Sequence, residues 1–338
     1  MTLHRAGPAT SVQDLGRPGL VGVGLSRGGA MDPLALQEAA ALLALPRPVA
    51  ALEMVGRGAC LSVDAPTRIA LTGAPMTARL NTAEIGWNRS VALAPGDRLD
   101  IGGATRGVYG YVSCAGGFAQ PHWQDSQAAH ISAGIGGWLS DGTALKLGPN
   151  PHPAGPDQRL SPDDRFAGGP IRIMPGPQTA LFDDYTLARF LATKFRMSAR
   201  ANRQGIALEH DGEPFRCAVA DGLASDFIVA GDIQIAGAGH PYVLASECQT
   251  IGGYPRIGTV IPADLATLVQ CQPGQTLTFD MLSVDEADAL ARAQPDAVAG
   301  LRARVQPLVR DPHDIPDLLS YQLIDGVTAG LDPEGTEP

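Results

Sequence analysis

The sequence predicts a mainly β protein in two β-rich halves with only a few short helices. Three observations carry that reading. Strand-sized segments with alternating apolar residues recur along the chain and are punctuated by turn signals at short spacing, which favours a sandwich or barrel over βαβ winding. The 338 residues include 41 Gly and 28 Pro, spread throughout as many strands with many turns require. A Pro/Gly/Asp-rich stretch at 149–170, PNPHPAGPDQRLSPDDRFAGGP, separates the halves as a linker. We therefore expect a first β-rich domain over 1–155, a second over 168–284, and a helical piece followed by a loosely packed tail over 285–338.

In chain order, the segment 2–23 alternates short apolar runs with Gly and Pro. MDPLALQEAAALLAL (31–45) is the best helix: Asp32 suits the N-cap, Pro33 the first helical position, and Pro46 stops it. Strands are expected at 51–55, 60–64, 68–73, 90–102 and 107–117. The second half opens with PIRIMPG (170–176), holds a helix-like piece at 178–195, and continues with strands around 227–237, 242–248 and 276–282. DEADALARAQ (285–294) reads as helix. APGDRLDIG (94–102) and QPGQTLTFD (272–280) share a Pro-Gly turn leading into an alternating strand, a hint that the halves share an architecture.

Composition narrows the function. The chain is 44% hydrophobic and 18% charged, as expected of a folded domain. A net charge of −10 argues against a nucleic-acid or anionic-membrane surface. The five cysteines are far apart with no CxxC or Cys/His spacing, so we expect reduced, buried small hydrophobes. The N-terminal residues carry no apolar leader segment and no run of 18 apolar residues follows, which places the expected location in the cytoplasm. Lys146 and Lys194 are the only lysines and neither precedes Ser or Thr, so a GxxxxGK[ST] phosphate loop is excluded. The seven histidines lack ligand spacing, and no metal site is expected.

Two glycine-rich loops concentrate the polar chemistry. In SVQDLGRPG (11–19), Asp14 is an acid/base candidate, while Gln13 and Arg17 suit an anionic or amide-like group. The alternative is an Asp14–Arg17 ion pair clamping a tight loop. In QTIGGYPRIGTVIPADL (249–265), Gln249, Thr250 and Tyr254 accompany Arg256; the amide and hydroxyl suit a carboxamide or lactam, and the guanidinium a carboxylate or phosphate. A bulged loop satisfying its own backbone is the competing reading. Asn202 and Arg203, near Gly205 and Glu209, form a third candidate binding group or a plain hydrogen-bonded turn. Glu53 sits among apolar strand residues and needs a partner, for which Arg17 is the candidate. GLSRG (24–28) matches the GxSxG nucleophile elbow at Ser26, but that elbow belongs to a parallel sheet with repeated helices, so a turn before the Asp32 cap is the favoured reading.

Several strings taken in order resemble one family: AGPATSVQDLGRPG, GGAMDPLAL, IALTGA, PGDRLDIG, YGYVSCAGG, AGIGGWLSDG and AGDIQIAGAGHPYVLASECQTIGGYPRIGTVIPADL, together spanning roughly 3–283. The family is that of biotin-dependent carboxyltransferase subdomains A and B, also described as allophanate hydrolase subunit 2 and as the C component of 5-oxoprolinase. SVQDLGRPG and QTIGGYP are its specific motifs; the rest persuade only as an ordered set.

The resemblance implies two β-barrel-like domains, at least one of cyclophilin type. It also implies a partner from the sister family, that of allophanate hydrolase subunit 1 and the B component of 5-oxoprolinase. It points to an ATP-dependent complex that opens the lactam of 5-oxoproline, with ATP acting together with the partner subunits. In such a site Asp14, Arg17, Gln249, Thr250 and Arg256 would line a shared cavity. The alternatives are a carboxyltransferase component using biotin carried on a separate chain, and a non-catalytic regulatory subunit. The chain departs from the family's pattern in four places: DSQAA (125–129) stands where GSRST is usual, ANRQGIALEH (201–210) stands for SDRMGYRLEG, Gly28 replaces the serine usual before GAMD, and Ala40 and Leu45 replace the asparagines of ANxLVGN.

Overall fold

The first half alternates short strands and turns: β1 (Thr2–Arg5), β2 (Thr10–Gln13), helix α1 (Pro33–Leu42), then β3 (Ala51–Val55), β4 (Cys60–Ser62), β5 (Thr67–Gly73), β6 (Met76–Leu80), β7 (Ala83–Ile85), β8 (Arg89–Leu93), β9 (Arg98–Ala104) and β10 (Tyr109–Cys114). After β11 (Gln158–Arg159) come β12 (Gly169–Met174), α2 (Asp184–Ala192), β13 (Phe195–Ala201), β14 (Gly205–Glu209), β15 (Asp226–Phe227), β16 (Asp232–Ile235), β17 (Pro241–Leu244), β18 (Ile251–Gly252), β19 (Arg256–Val260), α3 (Pro262–Gln270), β20 (Thr276–Met281), α4 (Val284–Arg304) and β21 (Gln306–Pro307). This computed structural model describes residues 1–151, 155–161, 164–217 and 223–309, with 294–298 described by backbone alone. The part of the expected tail beyond 309 lies outside the described residues.

The expected mainly β architecture is present. The first half stacks a five-stranded sheet (β1-β4-β9-β6-β7) on a seven-stranded sheet (β2-β3-β10-β5-β8-β11-β21). The second half closes into a barrel, β12-β19-β16-β17-β14-β13-β20, sealed by parallel pairing of β12 with β20. A separate two-stranded ribbon joins β15 to β18.

The seven-stranded sheet is a middle layer. β2, β5 and β10 are buried at every position, as strands covered on both faces are. Side chains alternate between faces, so Leu52 and Met54 of β3 enter the core shared with the five-stranded sheet, while Ala51 faces the core shared with the barrel. Tyr109 and Tyr111 of β10 join that second core, and Val112 and Cys114 the first. The same alternation aims Glu53, directly opposite Tyr111, at the junction of the two halves.

Helix α1 is anchored there by charge as well as by its apolar face. Asp32 Oδ1 accepts from Ala35 N at 3.2 Å, the expected cap, but Oδ2 also accepts from Arg165 Nε and Gln270 Nε2, each at 2.8 Å. Arg165 further grips Glu38 through two bonds of 2.7 and 2.8 Å. The stretch read as a linker is thus partly a structural strap.

Helix boundaries shift for identifiable reasons. The piece expected over 178–195 breaks at Asp183, which caps α2 by accepting from Thr186 N at 2.6 Å, and Phe195 already starts β13. Phe190 of α2 fills the barrel against Phe195, Phe215 and Phe279. The expected helix at 285–294 extends through Val284–Arg304, started by a reciprocal Ser283/Glu286 capping box. α3 has no counterpart among the expected elements; Pro262 begins it. The two Pro-Gly turns do match, with φ of 94° at Gly96 and 85° at Gly274, although β9 and β20 enter differently organised sheets. All five cysteines are buried and free. Among the described residues no helix is long and apolar enough to cross a membrane.

Candidate functional site

The glycines of the first motif serve close backbone packing. The loop after β2 lies flat against the loop before α1: Arg17 N donates to Arg27 O (2.9 Å), and Ala30 N donates to Asp14 O (2.8 Å). A Cβ on Gly29 would stand 2.5 Å from Gly16 N, and one on Gly16 would stand 2.6 Å from Arg27 O. Neither loop tolerates a side chain at the crossing. The pair rests on the barrel through Gly28 N, which donates to Ser246 O at 2.9 Å.

Arg203 forms the centre of this junction. Asn202 Oδ1 accepts from Gln204 N (2.8 Å) and Gly205 N (3.1 Å), folding a tight turn that projects Arg203 out of the barrel. Its guanidinium, 5% exposed, donates to Glu53 Oε1, to Glu247 Oε1 and to the Gly29 carbonyl. Glu53 also accepts from Tyr111 Oη (2.7 Å) and Met31 N (2.8 Å), and Tyr111 Oη accepts from Asp32 N (2.9 Å). The partner of Glu53 is therefore Arg203, not Arg17; the expectation is corrected because the long range across the domain junction overrides proximity in sequence.

The two carboxylates bracketing Arg203 differ. Burial pushes Glu53 above the ordinary glutamate range despite the arginine. Glu247 is held below that range: burial opposes ionisation, but Arg203 and the Ser132 and Ile131 backbone donors outweigh it. Arg203 is itself raised, because its two carboxylates outweigh its desolvation.

Beside this ion group lies a second polar chain. Glu247 Oε2 accepts from Ser132 N (2.9 Å) and Oγ (3.0 Å) and stands 3.7 Å from His130 Nδ1. His130 Nε2 is 2.9 Å from Ser26 Oγ. The imidazole lies over Gly28, whose hypothetical Cβ would sit 2.9 Å from His130 Cδ2. Burial lowers the His130 pKa, Glu247 opposes this, and Arg17 and Arg203 add to it, so the surroundings favour the uncharged ring.

The remaining candidates fall into two sets. Asp14 fastens the 123–128 segment, accepting from Ser126 Oγ (2.7 Å), Gln127 N (2.6 Å) and its own loop's Gly16 N (2.8 Å). Arg17 grips the same segment at the Ala128 and Trp123 carbonyls (2.5 and 3.3 Å), and its buried Nη1 has no hydrogen-bond partner among the described residues. The two form no ion pair with each other among the described residues, so the clamp runs through the segment in place of a direct pair. Gln13 Nε2 donates to Ser11 Oγ at 2.9 Å, and its buried Oε1 has no hydrogen-bond partner among the described residues.

In the second set, Arg256 points into the barrel wall and donates to Asp226 (2.5 Å), Asp232 (3.2 Å), Phe227 O (2.6 Å) and Gln178 (3.2 Å). It pins the β15–β18 ribbon. Thr250 is buried and its carbonyl accepts from Ile228 N at 3.1 Å. Gln249 is exposed, and Tyr254 is 52% exposed. No hydrogen bond or ion pair among the described residues joins this set to Asp14 and Arg17; the link is the short chain segment from Glu247 to Gln249. Sequence reading brought forward Arg203 but passed over His130 and Glu247.

The comparisons agree with this architecture. The family model described as carboxyltransferase domain, subdomain A and B, matches residues 23–281. The C component of the 5-oxoprolinase of Escherichia coli (strain K12) is 33% identical over 293 residues, covering 85% of this chain and 93% of that protein. The corresponding C component from Haemophilus influenzae is 30% identical, covering 83% and 91%. The crystal structure of the K. lactis urea amidolyase superposes with a TM-score of 0.80 at 24% identity, covering 92% of this chain but only 21% of that one. The closed barrel, the crossed glycine loops and the family match together place this chain in the carboxyltransferase subdomain A and B family.

Proposed function

We propose that the chain is the C-type component of a heteromeric, ATP-dependent 5-oxoprolinase that opens a cyclic amide. One observation carries the reading: two 5-oxoprolinase C components align over 93% and 91% of their own length, whereas a urea amidolyase aligns over 18% of its length. The match thus takes in nearly the whole length of the first two relatives and under a fifth of the third.

The junction supplies suitable chemistry. The unpaired Arg17 Nη1 and Gln13 Oε1 are a cationic donor and an amide acceptor, the complement of a carboxylate and a lactam N–H. Gln249, Asn202 and Tyr254 remain open to solvent for contact with substrate or with a second polypeptide. Thr250 and Arg256 support that surface from beneath, Asp14 sets the loop that carries Arg17, and Arg203 fixes the junction. ATP is bound with the partner subunits, of which one is of the 5-oxoprolinase B-component family. Reconstitution with those partners tests the reading: glutamate should form from 5-oxoproline only with ATP and only when this chain is present. Full assembly without turnover would reject it.

The carboxyltransferase alternative draws on the urea carboxylase structure of Kluyveromyces lactis, which superposes with a TM-score of 0.78 at 25% identity. Carboxyl transfer to urea from a biotin-bearing second chain would decide for it.

A further inference from the structure

The geometry points to a nucleophilic acyl-transfer centre made of Ser26, His130 and Glu247, separate in chemistry from ATP-driven ring opening. The three residues come from three distant segments, yet Ser26 Oγ and His130 Nε2 are 2.9 Å apart and His130 Nδ1 faces Glu247 Oε2 at 3.7 Å. That is a nucleophile, a base and an orienting carboxylate in series. His130 Nδ1 has no hydrogen-bond partner among the described residues although His130 is only 3% exposed. A proton on Nδ1, on the Glu247 side, leaves Nε2 free to accept from Ser26.

The imidazole is held by its own tight turn, in which His130 N donates to Ile135 O at 2.8 Å and Ile135 N returns a bond at 3.1 Å. The side-chain-free Gly28 leaves room for it. Ser26 is 7% exposed, with exposed Gly24 and Arg27 close to it in sequence.

The substrate class is small activated esters and amides. Ser26 Oγ bonds to the carbonyl carbon as its proton passes to Nε2. His130 returns that proton to the leaving alkoxide or amine as the carbonyl–heteroatom bond breaks. Water, deprotonated by the same nitrogen, then releases the carboxylic acid and restores Ser26.

The test uses the full chain alone, without ATP or partners, so its outcome is independent of the 5-oxoprolinase reading. Incubation with diisopropyl fluorophosphate should give a single adduct on the Ser26 peptide by mass spectrometry. His130→Gln, checked for folding by circular dichroism, should label about 100-fold or more slowly. Glu247→Gln should move the acid limb of the labelling-rate profile to lower pH, since the carboxylate raises the His130 pKa; a purely structural role would leave that limb in place. Ser26→Cys gives a second route: alkylation by iodoacetamide should be fast and should depend on His130. Absence of a Ser26 adduct on folded protein, or equal rates with and without His130, would overturn the assignment.

Discussion

Replacing Arg203 with Met is the most direct probe of the junction. The variant removes bonds to Glu53, Glu247 and the Gly29 carbonyl at once and leaves two buried carboxylates without their shared cation. Breaking a buried pair from one side costs about 3–5 kcal/mol, chiefly from the stranded charge. For a chain of this size that corresponds to a melting temperature lower by roughly 4–7 °C. The deficit should vary with pH in a definite direction. Burial raises Glu53 above 4.5, its ordinary value, so the folded state holds more protons than the unfolded chain and loses stability as pH rises from 4.5 through the folded-state pKa. Without Arg203 that window widens, so the variant should recover at pH 5 relative to pH 8. Thermal unfolding at both values measures this. Adding Glu53→Gln to the variant should restore about 1–3 kcal/mol. A loss below about 1 kcal/mol, or a deficit that ignores pH and the second substitution, would refute the account of the junction as a charge-compensated core.

Three further outcomes follow from the same geometry. Asp14→Asn exchanges a carboxylate accepting three bonds for an amide with one acceptor oxygen; destabilisation of about 1–3 kcal/mol in urea unfolding is expected, with faster proteolysis near residues 123–128. Gly28→Ala places a methyl 2.9 Å from His130 Cδ2 at a φ of 63°, so the imidazole must move, and the chemical shift of its ring protons should change along with any Ser26 labelling. Tyr254→Ala touches an exposed ring and should leave stability within about 0.5 kcal/mol while weakening assembly or turnover of the reconstituted complex, read by co-purification and glutamate release.

The local elements are readable because local rules govern them. β3 falls over 51–55, and Asp32 with Pro33 starts α1 as the capping rules require. α3 is hidden because Pro262 sits inside a motif that reads as loop; a proline at the first helical turn is the available signal. Glu53 is recognisable as a buried carboxylate in need of a cation, but nothing local identifies a partner 150 positions away. His130 offers no spacing at all, and Glu247 is one polar residue among LASECQT; only the fold brings them to Ser26. Arg256 has the composition of a binding residue, yet its donors are engaged with Asp226 and Asp232, a state that residue type alone cannot reveal.

Helix α4 and the strand after it reach back to the first half. Leu301 inserts among Ala39–Leu45 side chains, Arg302 donates to the Leu45 and Pro46 carbonyls at 2.7 and 3.0 Å, and β21 pairs with β11 at the edge of the seven-stranded sheet. The seven-stranded sheet therefore gains its last strand only once residues 306–307 are present. A polypeptide interrupted after β20 would carry α1 with that flank bare.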